Sequence, residues 1–214
     1  MKTFLHRQEA GKQLAEVCVR SIPDQDSLLI LAIPRGGVVI GYELACALSG
    51  ELDVTIPRKI GAPNHPELAV GAVTETGSLL LDEDMVAQGL VSQDYIEQEA
   101  KRQQREVLRR GKAYRRGKER PRITGRTVVV VDDGIATGFT MQAALKGVRE
   151  ENPRHLVMAV PVAPPEALPP LERWVDQAIC LATPSPFYAV GQWYGDFTQV
   201  TDEEVLHLLA KLHS

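Results

Sequence analysis

Cysteine is scarce in this 214-residue chain, which has three, Cys18, Cys46 and Cys180. They stand far apart without metal-ligand spacing and read as small buried hydrophobes in a reducing cytoplasm. Long apolar runs are missing too: nothing approaches the roughly 20 apolar residues of a membrane span. The opening "MKTFLHRQEAGKQL" carries charges where a secretory signal has its apolar run. A cytoplasmic protein is expected. An excess of positive charge is also lacking: the net charge is −4, which argues against nucleic acid as the main partner. There is no G-x-x-x-x-G-K-[ST] and no G-x-G-x-x-G after a strand, so nucleoside-triphosphate and dinucleotide sites lose support. Internal repeats and low-complexity tracts are absent.

What remains is ordinary globular material, 44% hydrophobic and 24% charged. A chain of this length buries roughly 70% of its unfolded surface, so its stability needs no disulfide or metal. Apolar runs of strand length alternate with helical patterns. "SLLILAI" (27–33) is closed by "PRGG" and followed by the helical "VVIGYELACAL", which stops at Ser49-Gly50. "LDVTIP" (52–57), "VVVV" (128–131), "HLVMAVPV" (155–162) and "AICLA" (178–182) complete a set of five strands. Continuous Val/Ile/Leu runs joined by helices predict a parallel, doubly wound α/β sheet buried on both faces.

Two regions break the rhythm. Residues 61–91 are rich in Gly and Pro, with hairpin-like pieces around Thr76-Gly77. Ser92 then caps a long polar helix through about Arg116, ended by Gly117. From Lys101 to Arg126 basic residues crowd together, interrupted only by Glu106 and Glu119. They form either a solvated helix face with its loop or a polyanion-binding patch. Near the end, Thr201 and Glu204 have capping-box spacing.

The stretch that points to chemistry is "VVVVDDGIATGFT" (128–140). A buried strand runs into two adjacent carboxylates, Asp132 and Asp133, at the end of a parallel strand, where ligands of open α/β sheets bind. The loop that follows, Gly134 and then Ala136-Thr137-Gly138-Phe139-Thr140, is nearly free of bulk and opens a helix. Its amides lie at the positive end of the helix dipole, suited to an anion. Two acceptors beside a ring of donors match a sugar phosphate, hydroxyls on the acids and phosphate on the loop. A two-component receiver domain also pairs acids, but near its N-terminus and with no such cradle.

These residues carry a resemblance. "VVVVDDGIATGFT" is similar to the phosphoribosyl-pyrophosphate (PRPP) signature of the type I phosphoribosyltransferases, and "AIPRGGV" (32–38) resembles their pyrophosphate loop. The resemblance covers roughly residues 25–200. It implies transfer of a 5-phosphoribosyl group from PRPP to a nitrogenous acceptor, with Mg²⁺ bound mostly by substrate oxygens. By position, Asp132 and Asp133 would hold the ribose hydroxyls, Gly134 and residues 136–140 the 5-phosphate, and Pro34, Arg35, Gly36 and Gly37 the pyrophosphate. Lys59 would reach the same diphosphate from the base of a flexible loop at 58–77.

The resemblance further implies a core over residues 1–200 with a hairpin and long-helix insertion at about 76–120. A hood would form from residues 184–214 with the N-terminal segment. "PSPFYAVGQWYGDF" (184–197) resembles the hood of the hypoxanthine-guanine enzymes. There Tyr188 and Trp193 stand as acceptor-stacking candidates and Asp196 as the acid near Mg²⁺. Two departures leave the acceptor open: Ala136 replaces that subfamily's loop Asp, and "VPVAPP" lacks its purine-reading Lys. Dimers are common in the family, so a homodimer is a further expectation. A PRPP-sensing regulator that binds nucleic acid, and a hydrolase that passes the sugar to water, are the alternatives of other classes.

Overall fold

A computed structural model of the chain describes residues 3–22, 26–63, 65–82, 86 and 91–212, with the backbone alone at 65–69. The β-branched run expected at 128–131 becomes β6 (Thr127–Val131), in which every residue is buried. Its neighbours are β1 (Leu29–Ala32), β2 (Glu51–Val54), β7 (His155–Val162) and β8 (Gln177–Ala182). The five pair in parallel in the order β2-β1-β6-β7-β8. Successive side chains of a strand point to opposite faces, and here both faces are apolar. Ile30, Ala32, Val129 and Val131 pack into one core cluster, while Leu29, Leu31, Val128 and Val130 pack into another.

Helices cover both faces, as a parallel sheet requires. The first cluster includes Leu14 and Cys18 of α1 (Arg7–Ser21) and Ile40 and Leu44 of α2 (Gly36–Leu48). The second includes Met141 and Leu145 of α4 (Phe139–Glu150) and Leu171 of the short α5 (Pro169–Glu172). The C-terminal α6 (Asp202–Lys211) begins in the capping box of Thr201 and Glu204 and packs on α2. The N-terminal segment is tied to the far end of the chain. Phe4 bridges Tyr194, and the amides of Gly195 and Asp196 donate to the Phe4 and Leu5 carbonyls.

The region expected as a flexible loop is instead mostly extended. β3 (Arg58–Ala62), β4 (His65–Val73) and β5 (Leu79–Leu81) form a separate antiparallel sheet. The register of β3 on β4 shifts on both sides of Gly61. The physical reason is a small apolar core of its own. Ile60, Val70 and Val73 are buried with Val91 and with Ile96 of α3 (Gln93–Arg115). Asn64 and the side chains at 65–69 lie outside the described residues, as does most of the stretch at 83–90. The expected hairpin at Thr76-Gly77 is the β4–β5 turn, where Gly77 has φ 84°. The strand expected at 52–57 ends early, at Val54.

The basic stretch splits in two. Arg115, Arg120 and Arg126 are structural ties, the first held by both Asp53 and Glu75, the second by Glu151 and the third by Glu51 and the Leu28 carbonyl. Arg102, Arg109 and Arg110 lie on the outer face of α3. No helix among the described residues is long and apolar enough to cross a membrane.

Candidate functional site

β1 and β6 are adjacent, yet the chain leaves β1 toward β2 on one side and leaves β6 toward β7 on the other. That is a topological switch point, where the loops diverge and open a crevice at the strands' carboxyl ends. The "PRGG" turn follows β1 and the acid pair follows β6, so both meet there. Their contact is close. A Cβ at Gly37 would stand 2.9 Å from the Val131 carbonyl oxygen and 3.0 Å from the Asp132 Cα. A Cβ at Gly36 would collide with the Asp133 carboxylate. Only glycines let the two loops approach this far. The Pro34–Arg35 peptide bond is cis.

Two helices start at this crevice, and neither has a side-chain cap. α2 begins after Arg35 and α4 after Gly138, which has φ 80°. The other helices of ten or more residues are capped, α1 by His6, α3 by Ser92 and α6 by Thr201. Among the described hydrogen bonds none engages the amides of Gly36, Gly37 or residues 136–140. Unsatisfied amides at a positive dipole end are a ready anion site. Ala136 and Thr137 are exposed, and Gly138, Phe139 and Thr140 partly so.

The two acids differ from one another. Asp133 receives the Arg7 Nε at 2.7 Å, and Arg7 also donates to the Thr198 carbonyl at 2.8 Å. The Arg7 guanidinium lies 3.8 Å from the centre of the Phe197 ring, a cation–π contact. Asp132 accepts from the Asp133 amide at 2.8 Å and has no ion pair among the described residues. Burial and the Asp133 charge push its carboxyl well above the ordinary carboxylate range. Burial raises Asp133 too, against the pull of Arg7. The sequence suggested two unpaired acids; tertiary packing gives one of them an internal cation. The Tyr194 hydroxyl, fully buried, donates to the Asp133 carbonyl at 2.5 Å. Arg7 and Tyr194 were not legible as site residues, because Arg7 is 126 positions from Asp133 and no local pattern marks it.

An acid pair with one organic cation is short of positive charge, which fits a divalent ion or ligand hydroxyls beside Asp132. Among the described residues no group of three or more His, Cys, Asp or Glu is arranged as a metal cage. An ion held mostly by substrate oxygens is compatible with that donor set.

Arg35 and Thr140 open onto a cavity of about 620 Å³ whose far wall is β3 and α3. Lys59 lines it from β3. Tyr114 also lines it, and its phenol, pushed up to about 12 by burial and by its hydrogen bond to Asp202, stays protonated.

The three residues singled out in 184–197 are spread out. Tyr188 is 82% exposed, so its ring is available to a ligand. Trp193 packs on Phe187, with ring centres 5.9 Å apart, and against the main core. Asp196 turns its carboxylate onto the Thr198 amide and hydroxyl, at 2.9 and 2.6 Å. That is a local turn, which holds the acid below its usual range. It shares a small cavity with Arg7 and so adjoins the acid pair through that side chain.

Comparison with known proteins agrees with this architecture. Two strains of Mycobacterium tuberculosis have a protein, provisionally named phosphoribosyl transferase, that is 40% identical over 213 residues. The match takes in 100% of this chain and 48% of that protein, so the chain spans about half the length of these curated relatives. The Thermus thermophilus protein TT1426 is 44% identical, covers 99% of both chains and superposes with a TM-score of 0.84. The L. donovani hypoxanthine-guanine phosphoribosyl transferase shares the fold, with a TM-score of 0.50 at 13% identity over 87% of each chain. The model of the phosphoribosyl transferase domain matches residues 3–190, and the chain belongs to that family, with the type I architecture.

Proposed function

We propose that the protein transfers the 5-phosphoribosyl group of PRPP to a nitrogenous acceptor, a nucleobase or related small molecule. The observation that carries this reading is the packing of the "PRGG" turn against the Asp132-Asp133 corner between two uncapped helix starts. The 5-phosphate sits on the amides of residues 136–140 with the Thr137 and Thr140 hydroxyls. The ribose hydroxyls meet Asp132 and the free side of Asp133, and the diphosphate meets Gly36, Gly37 and Arg35. Lys59 faces the same cavity and adds charge there.

In the reaction the bond from the anomeric carbon to the diphosphate oxygen breaks, and a bond from the acceptor nitrogen forms on the opposite face. The pair of electrons leaves with the pyrophosphate, and the acceptor nitrogen gives up its proton. The transition state has oxocarbenium character. Fixed amides and guanidinium groups therefore act on the departing charge, and the anchored phosphate holds the ring in line. A Mg²⁺ ion beside Asp132 and Asp133, held mainly by substrate oxygens, would supply neutralisation of the leaving diphosphate. Tyr188 is the exposed ring best able to stack on an acceptor, and Trp193 the less accessible one.

Donor titration and pyrophosphate release across a panel of bases test the reading. Asp132→Asn with Asp133→Asn should abolish donor binding in a chain that still folds; unchanged donor affinity in the double variant overturns it.

A further inference from the structure

The outer face of α3 has a charge arrangement that the phosphoribosyl reading does not use. Three guanidinium groups share the single Glu106 carboxylate. Arg109 is at 2.7 Å, Arg110 at 2.9 Å and Arg58, arriving from β3, at 3.8 Å. Arg102 lies one turn away on Glu99, and Arg105 has no ion pair among the described residues. Positions 102, 106 and 109 recur at helical spacing, so one face of α3 carries the set. A solvated helix face explains pairs within α3, which are worth little. It does not explain Arg58, which belongs to another element and is held beside two like charges. Burial first, then Arg110, makes the charged form of Arg58 less favourable than usual.

This cluster is concentrated on a chain whose net charge is −4. It is also cavity-lined. Arg58, Arg102 and Arg110 form one wall of the crevice that opens at Arg35, and the same three continue into a groove with Arg105 and Arg109. The Tyr95 hydroxyl fixes β3 to α3 through the Gly61 carbonyl at 2.9 Å, so the wall is held together without the arginines. We propose that β3 and α3 form a second anion site, for a chain of phosphates belonging to a ligand other than the sugar donor. Several forked guanidinium groups in one groove match successive phosphates, each taking bidentate bonds, better than a single carboxylate. The ligand is an inorganic polyphosphate or the phosphate tail of a nucleotide.

Calorimetric titration of the full chain with inorganic tripolyphosphate, with ATP and with PRPP separates the cases. Arg105→Ala with Arg109→Ala alters exposed side chains that line the groove and not the crevice at Arg35. It should weaken tripolyphosphate at least about tenfold, the loss of one charge-assisted hydrogen bond, and leave donor affinity within about twofold. Added salt should weaken the binding steeply. ATP bound more tightly than tripolyphosphate assigns the site to nucleotides, and equal affinity assigns it to free phosphate chains. Absence of binding, insensitivity to the double substitution, or strict competition with PRPP overturns the proposal. Binding of single-stranded RNA alone would do the same. Failure of the phosphoribosyl reading looks different: PRPP does not bind the unaltered chain, while the tripolyphosphate titration still reports on Arg105 and Arg109.

Discussion

Arg7 Nε donates to Asp133 Oδ2 at 2.7 Å, with 10% and 14% of the two side chains exposed. The first helix thereby reaches the corner that follows β6, and the same guanidinium holds the Thr198 carbonyl and covers Phe197. Removing one partner of a buried pair leaves an uncompensated charge, at a cost of about 3–5 kcal/mol. Arg7→Ala should lose stability on that scale in chemical denaturation. Arg7→Lys should recover only part of it, because an ammonium cannot serve the carboxylate, the carbonyl and the ring together. A denaturation midpoint unchanged in Arg7→Ala would show that the pair is energetically idle.

The acid pair makes stability depend on pH. Asp132 holds its proton more tightly in the folded chain than the ordinary value of 3.8, through burial and the Asp133 charge. A carboxyl raised on folding adds stability while protonated and loses it as pH climbs from about 4 through the folded value. Asp132→Asn keeps the acceptor for the Asp133 amide and removes that loss. Its melting temperature should exceed the parent's at pH 7, and the difference should shrink toward pH 4. A gap that is flat or grows on acidification contradicts the reading.

The end of α3 is fastened to β2 by Arg115, which is 7% exposed and donates to Asp53 at 2.8 Å and to Glu75 at 2.7 Å. Burial raises Asp53 despite the adjacent guanidinium. Arg115→Met would strand two carboxylates, so a loss of about 3–5 kcal/mol is expected in urea unfolding. Replacing Asp53 and Glu75 together with Arg115 by apolar residues should restore much of it. A triple variant as weak as the single one would refute that explanation.

The cysteines should differ in reactivity. Cys46, expected to be buried, is exposed at the end of α2, whereas burial pushes the Cys18 thiol up to about 12 and raises Cys180 as well. Because the thiolate reacts, Cys46 should label first with a maleimide at pH 8, and Cys18 only on unfolding. Mass mapping of a time course checks this, and early labelling of Cys18 would contradict its packing.

Five strands, their parallel class and the two special loops were legible because each rests on short-range chemistry, whereas the pairing of the two loops came only from the family resemblance. β-Branched runs make buried strands, and two small-residue turns each precede a helix. The N-caps at Ser92 and Thr201 were readable for the same reason. The antiparallel sheet at 58–81 was not, since its glycines and prolines read as a loop while Ile60, Val70 and Val73 needed α3 to cover them.

The amino-acid sequence by itself determined that strands end in an acid pair and in "PRGG", and that bare amides would follow the acid pair. Which of these groups is free was decided only by the tertiary structure. Arg7, distant in the chain, takes one acid; Asp132 has no ion pair among the described residues; and Arg58 is brought against the arginines of α3. Periodicity and turn chemistry act over a few residues, whereas charge pairing depends on which side chains packing brings within a few ångströms, and that distance is not written along the chain.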